Sequence, residues 1–255
     1  MDQPLTSSRM LPPEPLCLIA ISGGSGSGKS TLANALMAVL GPDLCAVLGD
    51  DHYYKTRASQ GVEGLSAPEI EALINYDDLS SKDMDLMFEH ALALKRGETI
   101  HQPLYDFAAH DRVKDDTLEV VPRRITVLEG IHVLGDPRMA ELFDLKVYVD
   151  TPDDLRLARR ILRDTAPEDE GGRGRSVSRV ISQYLHFVRP THHRVTGPAK
   201  YAADLVIADE GLPAFAAACP SRAAVQRMLA PVIGWLIDTE IVSSDEIQPL
   251  PFDDV

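Results

Sequence analysis

The chain has 255 residues, enough to bury a substantial core, and this length fits one domain or one domain with an inserted subdomain. Its 39 acidic residues outnumber 25 lysines and arginines, and the formal charge of −14 excludes broad nucleic-acid binding while leaving room for a small, locally captured anion. Cys17, Cys45 and Cys219 are odd in number, no apolar stretch reaches bilayer length and no signal-like segment opens the chain, so a cytoplasmic protein with free thiols and no membrane association is expected.

Residues 1–14 are polar and proline-bearing, a leader expected to be loose. The apolar run Leu16–Ile21 reads as a strand. It leads into Gly23-Gly24-Ser25-Gly26-Ser27-Gly28-Lys29-Ser30, which opens the helix-patterned run Thr31–Leu40, stopped by Gly41-Pro42. Strand, glycine-rich loop and helix in this order make a phosphate loop. Backbone N–H groups turn inward around phosphate oxygens, the helix N-terminus adds its dipole, Lys29 neutralises the β- and γ-phosphates, and Ser30 ligates Mg²⁺. Gly23 to Thr31 are therefore the candidate residues for holding ATP or GTP.

Cys45–Leu48 reads as a short strand delivering Asp50 and Asp51 at its carboxyl end, where open α/β sheets place ligands. Lys55–Ala67 is polar and irregular, and a helix pattern covers Leu86–Leu94. Ile100–Tyr105 and Thr117–Val121 suggest a hairpin outside the main sheet, in a subdomain at about 98–122, joined by a charged loop that carries His110. Ile125–Leu128, ending in Glu129-Gly130, and Leu145–Val149, ending in Asp150, have the unbroken apolar character of buried parallel strands. An arginine-rich helix is expected over Leu155–Leu162, then the acidic loop Pro167–Gly172 and Arg173-Gly174-Arg175. Further helices are expected over Val177–Val188 and Ala223–Ile237, with a short strand over Leu205–Ile207. The result is an α/β domain over 15–240 with a lid at about 160–180, followed by an acidic tail, 241–255, expected to be mobile.

Phosphoryl transfer needs metal-bridged phosphates, cations on the moving group and something to position or deprotonate the attacking hydroxyl. Asp51 is the candidate base and a metal ligand, though Asp50 is adjacent and spacing alone does not separate them. Glu129, at a strand end, is placed to hold Mg²⁺ through water. Arg160 and Arg163 share a helical face, while Arg173 and Arg175 flank a glycine in a segment able to close over phosphates. Guanidinium forks of this kind bind phosphate oxygens bidentately and stabilise charge on the moving group. Arg156 and Arg159 read instead as a solvated face paired to Asp153, Asp154 and Asp164.

These segments, with Asp51-His52-Tyr53-Tyr54-Lys55, Asn75-Tyr76-Asp77, Pro103-Leu104-Tyr105-Asp106-Phe107, Leu128-Glu129-Gly130-Ile131, Arg159–Asp164, Ser182-Gln183-Tyr184 and Lys200-Tyr201-Ala202, resemble the uridine kinase family. That family lies within the phosphoribulokinase-like phosphate-loop kinases, and the resemblance runs from about Leu16 to Ile207. It implies a five-stranded, mostly parallel sheet flanked by helices, a hairpin over the acceptor site and an arginine-bearing lid. It also implies phosphorylation of the 5′-hydroxyl of uridine or cytidine by ATP or GTP, and a homotetramer. By resemblance Asp51 is the general base, Ser30, Asp51 and Glu129 surround Mg²⁺, and Lys29, Arg163 and Arg173 serve the transfer. Asp77, Arg160 and Gln183 would contact the ribose, Tyr105 and His110 would read the pyrimidine edge, Tyr54, Tyr76, Phe107 and Ile131 would pack around the nucleoside, and Arg175 would bind substrate. The chain departs from the family at Asp78-Leu79, where His-Pro is usual, in the longer acidic stretch Ala166–Gly172, and after Ile207. Two other readings are a kinase of another hydroxyl metabolite, such as a sugar phosphate or pantothenate, and a non-catalytic nucleotide-binding regulator.

Overall fold

The computed structural model describes residues 16–167, 169, 172–209 and 221–251. The expected leader, Cys219, part of the acidic loop and residues 252–255 lie outside them. The described elements are, in order, β1 (Cys17–Gly23), α1 (Lys29–Leu40), β2 (Cys45–Gly49), α2 (Ala67–Leu73), α3 (Met84–Lys95), β3 (Ile100–Asp106), β4 (Asp111–Val120), β5 (Ile125–Gly130), α4 (Pro137–Ala140), β6 (Leu145–Asp150), α5 (Asp153–Thr165), α6 (Val177–Gln183), α7 (Arg189–Thr191), β7 (Leu205–Ala208) and α8 (Arg222–Asp238).

Five strands pair in the order β2-β5-β1-β6-β7, and every pairing in this sheet is parallel, with Ile19 opposite Val127 on one side of β1 and Ile21 opposite Val147 on the other. Successive side chains on a strand point to opposite faces, so β1 feeds two cores. Ile19 and Ile21 pack with Leu32 and Leu36 of α1 and Val232 and Leu236 of α8. Leu18 and Ala20 pack with Met87, Ala91 and Leu94 of α3 on the other face. The parallel arrangement brings the carboxyl ends of β1, β2, β5 and β6 to one edge, which is where the phosphate loop, Asp51 and Glu129 emerge. Cys17 and Cys45 are free and buried in the first core, and burial pushes both thiols up to about 12, which keeps them protonated and unreactive. No described helix is long and apolar enough to cross a membrane.

The hairpin β3-β4 is a separate antiparallel sheet and is longer than expected, because β4 begins at Asp111 and leaves His110 in the turn. Side-chain bonds dock it beside the exit of β2: Gln102 Nε2 donates to the Gly49 carbonyl at 3.2 Å, and Arg112 Nε donates to the Tyr54 carbonyl at 2.8 Å. The helix expected over Val177–Val188 keeps α-geometry only to Gln183. It continues through a π-turn over Tyr184–Val188, α7 and a second π-turn over His192–Thr196.

The mobile tail is corrected for the described residues 241–251. The segment carries acidic and proline residues, but Ile241, Val242 and Leu250 are buried in the core that α1 and α8 share. The Gln248 N–H donates to the Val39 carbonyl at 2.8 Å, and Arg124 pairs with Glu246 at 2.7 Å. Truncating the buried Leu250 to Ala is expected to destabilise the fold by about 2–3 kcal/mol, read as a lower urea midpoint with an unchanged m-value.

Candidate active site

β1 ends at Gly23 and α1 begins at Lys29, so the intervening loop has to reverse within a few residues. Gly26 and Gly28 do this at φ 80° and 90°, in the left-handed region that disfavours side chains. Ser27 N–H closes the loop on the Gly24 carbonyl and Leu32 N–H makes the first helical bond to the Gly28 carbonyl, so the N–H groups of the first turn of α1, which have no intrahelical partner, can face a ligand. A Cβ on Gly24 would overlap the Arg156 guanidinium, and one on Gly26 would overlap the Arg156 carbonyl. Arg156 is therefore not on a solvated face as expected. It is 2% exposed beneath the phosphate loop, where its Nε donates to the Thr151 carbonyl and its Nη2 pairs with Asp153. Arg159 keeps 36% of its side chain exposed, and its acidic partner is Asp209, at 2.6 Å beside Gly26, not one of the three aspartates expected. Arg156 is buried because the first turn of α5 packs against the phosphate loop, so its guanidinium meets the Thr151 carbonyl and Asp153 rather than water.

The structure separates the two aspartates. Asp50 is buried, its carboxylate filling the space a Cβ on Gly130 would need, and it accepts from Lys82 Nζ at 2.6 Å and from the His132 N–H at 2.9 Å. Asp51 turns the other way, with 52% of its side chain exposed at the cleft and one oxygen 3.1 Å from Lys82 Nζ. Burial works against its charge, but Lys82 and Lys29 outweigh burial and hold the carboxyl well below the usual range, so Asp51 is ionised.

Ser30 Oγ donates to Glu129 Oε1 at 3.0 Å, while the second oxygen of Glu129 is buried and has no partner. Burial, with Asp50 and Asp51 nearby, raises the pKa of Glu129 against the pull of Lys29. A half-satisfied carboxylate next to a hydroxyl suits a divalent cation. The described residues contain no cluster of three or more His, Cys, Asp or Glu that would form a protein-only cage. Mg²⁺ fits this sparse donor set, because it keeps waters and takes phosphate oxygens as further ligands.

Beyond the loop lies an open cleft of about 770 Å³. Lys29, Asp51, Arg160, Arg163, Arg173 and Arg175 line it, as do Tyr54, Tyr76, Asp77, Tyr105, Phe107, His110, Ile131 and Gln183. The sequence reading missed Glu71, Ile74, Phe187 and Val188, which line it too. The lid arginines gather on the fully buried Asp164, with Arg163 at 2.8 Å, Arg160 and Arg173 at 3.5 Å and Arg175 at 3.7 Å. Burial opposes ionisation of Asp164, yet Arg163, Arg173 and Arg160 outweigh it and lower its pKa. Arg160 also donates to Ser25 Oγ at 3.0 Å, tying this cluster to the phosphate loop.

Aromatic rings form the far wall. Tyr54 lies 5.2 Å from Tyr76 and 5.1 Å from Tyr105, and Tyr105 lies 5.3 Å from Phe107. The hydroxyls of Tyr76 and Tyr105 are near neighbours, but neither meets hydrogen-bond geometry with a protein group. Asp77 is positioned through its backbone, its carbonyl accepting from His132 Nε2 at 2.7 Å. Burial pushes the His132 imidazole pKa down, so the ring is neutral and Nε2–H is the donor. Arg175, Gln183 and His110 do not stand free in the cleft: all three meet the Glu71 carboxylate, at 2.6, 2.9 and 3.1 Å.

A family model described as the phosphoribulokinase / uridine kinase family matches residues 18–212. Similar proteins include a uridine kinase of Clostridium perfringens, 40% identical over 193 residues covering 76% of this chain and 87% of that protein. A uridine kinase of Clostridium botulinum is 41% identical over 213 residues, covering 84% and 94%. Among solved structures, phosphoribulokinase from Rhodobacter spheroides matches with a TM-score of 0.55 at 15% identity over 81% of this chain and 75% of that one. D-glycerate 3-kinase from Cryptococcus neoformans matches at 0.52 and 17% identity, covering 72% and 80%. The two structures share the fold of this chain.

Burial alone would raise the pKa of Glu71, but the His110 hydrogen bond and the charges of Arg175 and Arg179 hold it at about 2. A depressed folded-state pKa contributes stability above the unfolded value and loses it as the pH falls through the folded one. The contribution, up to about 3 kcal/mol, is therefore present above roughly pH 4.5 and disappears toward pH 2. Urea melts of the parent and Glu71→Gln should differ at pH 7, and the difference should shrink between pH 4.5 and 3.

Proposed function

The chain belongs to the phosphoribulokinase / uridine kinase family and is a phosphate-loop kinase, and from that premise we propose that it transfers the γ-phosphoryl group of ATP, or GTP, to the 5′-hydroxyl of uridine or cytidine. One observation carries this reading. Every side chain assigned to a nucleoside acceptor, from Tyr54 to Gln183, lines the same cleft as Lys29 and Asp51, although these residues come from separate loops, a hairpin and a helix. The relatives named uridine kinase support the same acceptor.

On this reading the aromatic wall of Tyr54, Tyr105 and Phe107 takes a flat pyrimidine. The unpartnered Tyr105 hydroxyl and His110 meet its polar edge, where a missing partner on the wrong base leaves a buried group unsatisfied. Asp77, Arg160 and Gln183 hold the ribose hydroxyls. Asp51, kept ionised by Lys82 and Lys29, accepts the proton as the 5′-oxygen forms its bond to the γ-phosphorus and the bridge to the leaving nucleoside diphosphate breaks. Lys29, Arg163 and Arg173 stabilise charge on the moving group. Ser30, Asp51 and Glu129 would hold Mg²⁺, which when bound neutralises phosphate oxygens. Buried protonated thiols at Cys17 and Cys45 fit a reducing cytoplasm, and a homotetramer is the assembly the family resemblance suggests.

The test is nucleoside diphosphate release from Mg²⁺ and ATP or GTP with uridine, cytidine, adenosine, ribulose 5-phosphate and pantothenate, with products identified by mass. Turnover should be confined to the two pyrimidine nucleosides, and turnover on another acceptor would overturn the assignment of Tyr105 and His110. Asp51→Asn should lose about a hundredfold or more in kcat while nucleotide binding measured without Mg²⁺ stays within about twofold, since removing this carboxylate leaves the phosphate loop intact.

A further inference from the structure

Glu71 is the cleft residue that the proposed chemistry leaves unexplained. It sits on α2, a seven-residue helix started by Pro68 and by a capping box between Ser66 and Glu69. The helix turns Leu73 out to solvent, 64% exposed, and Glu71 into the cleft, 6% exposed. Four donors converge on its carboxylate. Oε1 meets Arg175 Nη2 at 2.6 Å and His110 Nε2 at 3.1 Å, while Oε2 accepts from Arg179 Nε at 2.7 Å and Gln183 Nε2 at 2.9 Å.

The chemistry of that ring is specific. Guanidinium groups donate only, and two of them with an amide N–H and an imidazole nitrogen around one point make a hole shaped for an anion. The donors come from three places in the fold: the hairpin turn, the lid segment that precedes α6, and α6 itself. His110 is held there at φ 53°, in the left-handed region, with its ring tilted 32° against Tyr76 at 5.4 Å. Emptied of Glu71, the same ring would present the Arg179 guanidinium without its carboxylate and the Arg175 guanidinium shared only with Asp164, a ready site for a phosphate at the acceptor end of the cleft.

We propose that Glu71 is a specificity-determining residue. Its carboxylate permanently fills an anion hole formed by His110, Arg175, Arg179 and Gln183, reserving the acceptor pocket for an uncharged nucleoside and closing it to acceptors that carry a phosphate. The inference rests on the acceptor assignment above and deepens it. Discrimination here works by occupation: a phosphorylated acceptor meets a buried negative charge whose hydrogen bonds are already made, whereas an uncharged ribose and base have only to line the pocket beside it. The same bonds set the positions of Arg175, Gln183 and His110 for the nucleoside.

The experiment compares the full-length parent with Glu71→Ala and Glu71→Ser, both of which empty the hole. Binding of inorganic phosphate is titrated with the phosphate loop saturated by Mg²⁺ and a non-hydrolysable ATP analogue. Both variants should bind phosphate at least tenfold more tightly than the parent, and adding Arg179→Ala to Glu71→Ala should abolish that gain. In turnover assays phosphate should compete with uridine in the variants, the uridine KM should rise about tenfold or more, and the ATP KM should stay within twofold. Variants that are folded at the assay temperature yet bind phosphate no better would overturn the proposal, since a purely structural clamp predicts no new anion affinity. If Glu71→Ala does not fold, Glu71→Ser, whose short hydroxyl is compatible with the helix surface and leaves the hole open, decides the matter alone. Because phosphate binding is read at equilibrium, a parent inactive on uridine and cytidine would sink the acceptor assignment while leaving this measurement intact.

Discussion

The buried pair between Asp50 and Lys82 is the constraint on which the catalytic edge depends. Lys82 is 1% exposed and Asp50 3%, and the second carboxylate oxygen of Asp50 takes the His132 N–H. One ion pair thereby ties together the end of β2, the turn after β5 and the loop that precedes α3. A buried pair of this kind adds little net stability over an apolar replacement, because desolvating two charges offsets most of their attraction. Its contribution is positional. Gly130 has to lack a side chain for Asp50 to enter, Lys82 then reaches Asp51 at 3.1 Å, and His132 reaches back to the Asp77 carbonyl at 2.7 Å. The residues proposed as base and ribose ligand are thus referenced to a single buried carboxylate.

Two further carboxylates do for the arginines what Asp50 does for Lys82. Asp164 collects Arg160, Arg163, Arg173 and Arg175, and Glu71 collects Arg175 and Arg179. Arg175 touches both, so the lid arm and the acceptor wall are linked through one guanidinium. Arginines left to solvent would have to lose rotamer freedom at the moment phosphate arrives. Held on internal anions, they present fixed donors beforehand, and a site whose dipoles are already oriented need not reorganise as charge moves.

The parts of this design visible in the sequence are those encoded locally. Glycine spacing marks the phosphate loop because the backbone turn itself needs those residues, and unbroken apolar runs mark β5 and β6 because both faces of a parallel sheet are covered. Order along the chain also revealed the family motifs. What stayed hidden depends on contacts between distant residues. Glu71 lies on a short helix with no distinguishing pattern, and its partners are as much as 112 residues away. Arg156 sits in a helix so rich in charge that solvent exposure was the natural reading, and only the approach of the phosphate loop makes that face buried. Asp50 and Asp51 are neighbours of one type; they diverge because the 3₁₀ turn at Asp50–Tyr53 aims one at the notch left by Gly130 and the other at the cleft. Residues 241–251 look like a polar tail since composition averages over Ile241, Val242 and Leu250, which are buried, and Ile247, which packs against the same core.

A formal charge of −14 and a cleft lined by lysine and arginine are two sides of one electrostatic arrangement. The acidic exterior repels polyanions, whose binding depends on many spread contacts, whereas a small triphosphate needs only one focused patch. The patch is graded along the cleft. Near the phosphate loop, Lys29 and the guanidiniums around Asp164 leave cationic character in excess, where phosphates are to be held. At the aromatic end Glu71 takes up the donors that would otherwise extend the same field to the acceptor. A pocket that is cationic at one end and internally neutralised at the other would orient the proposed pair of substrates by charge before the acceptor hydroxyl reaches Asp51.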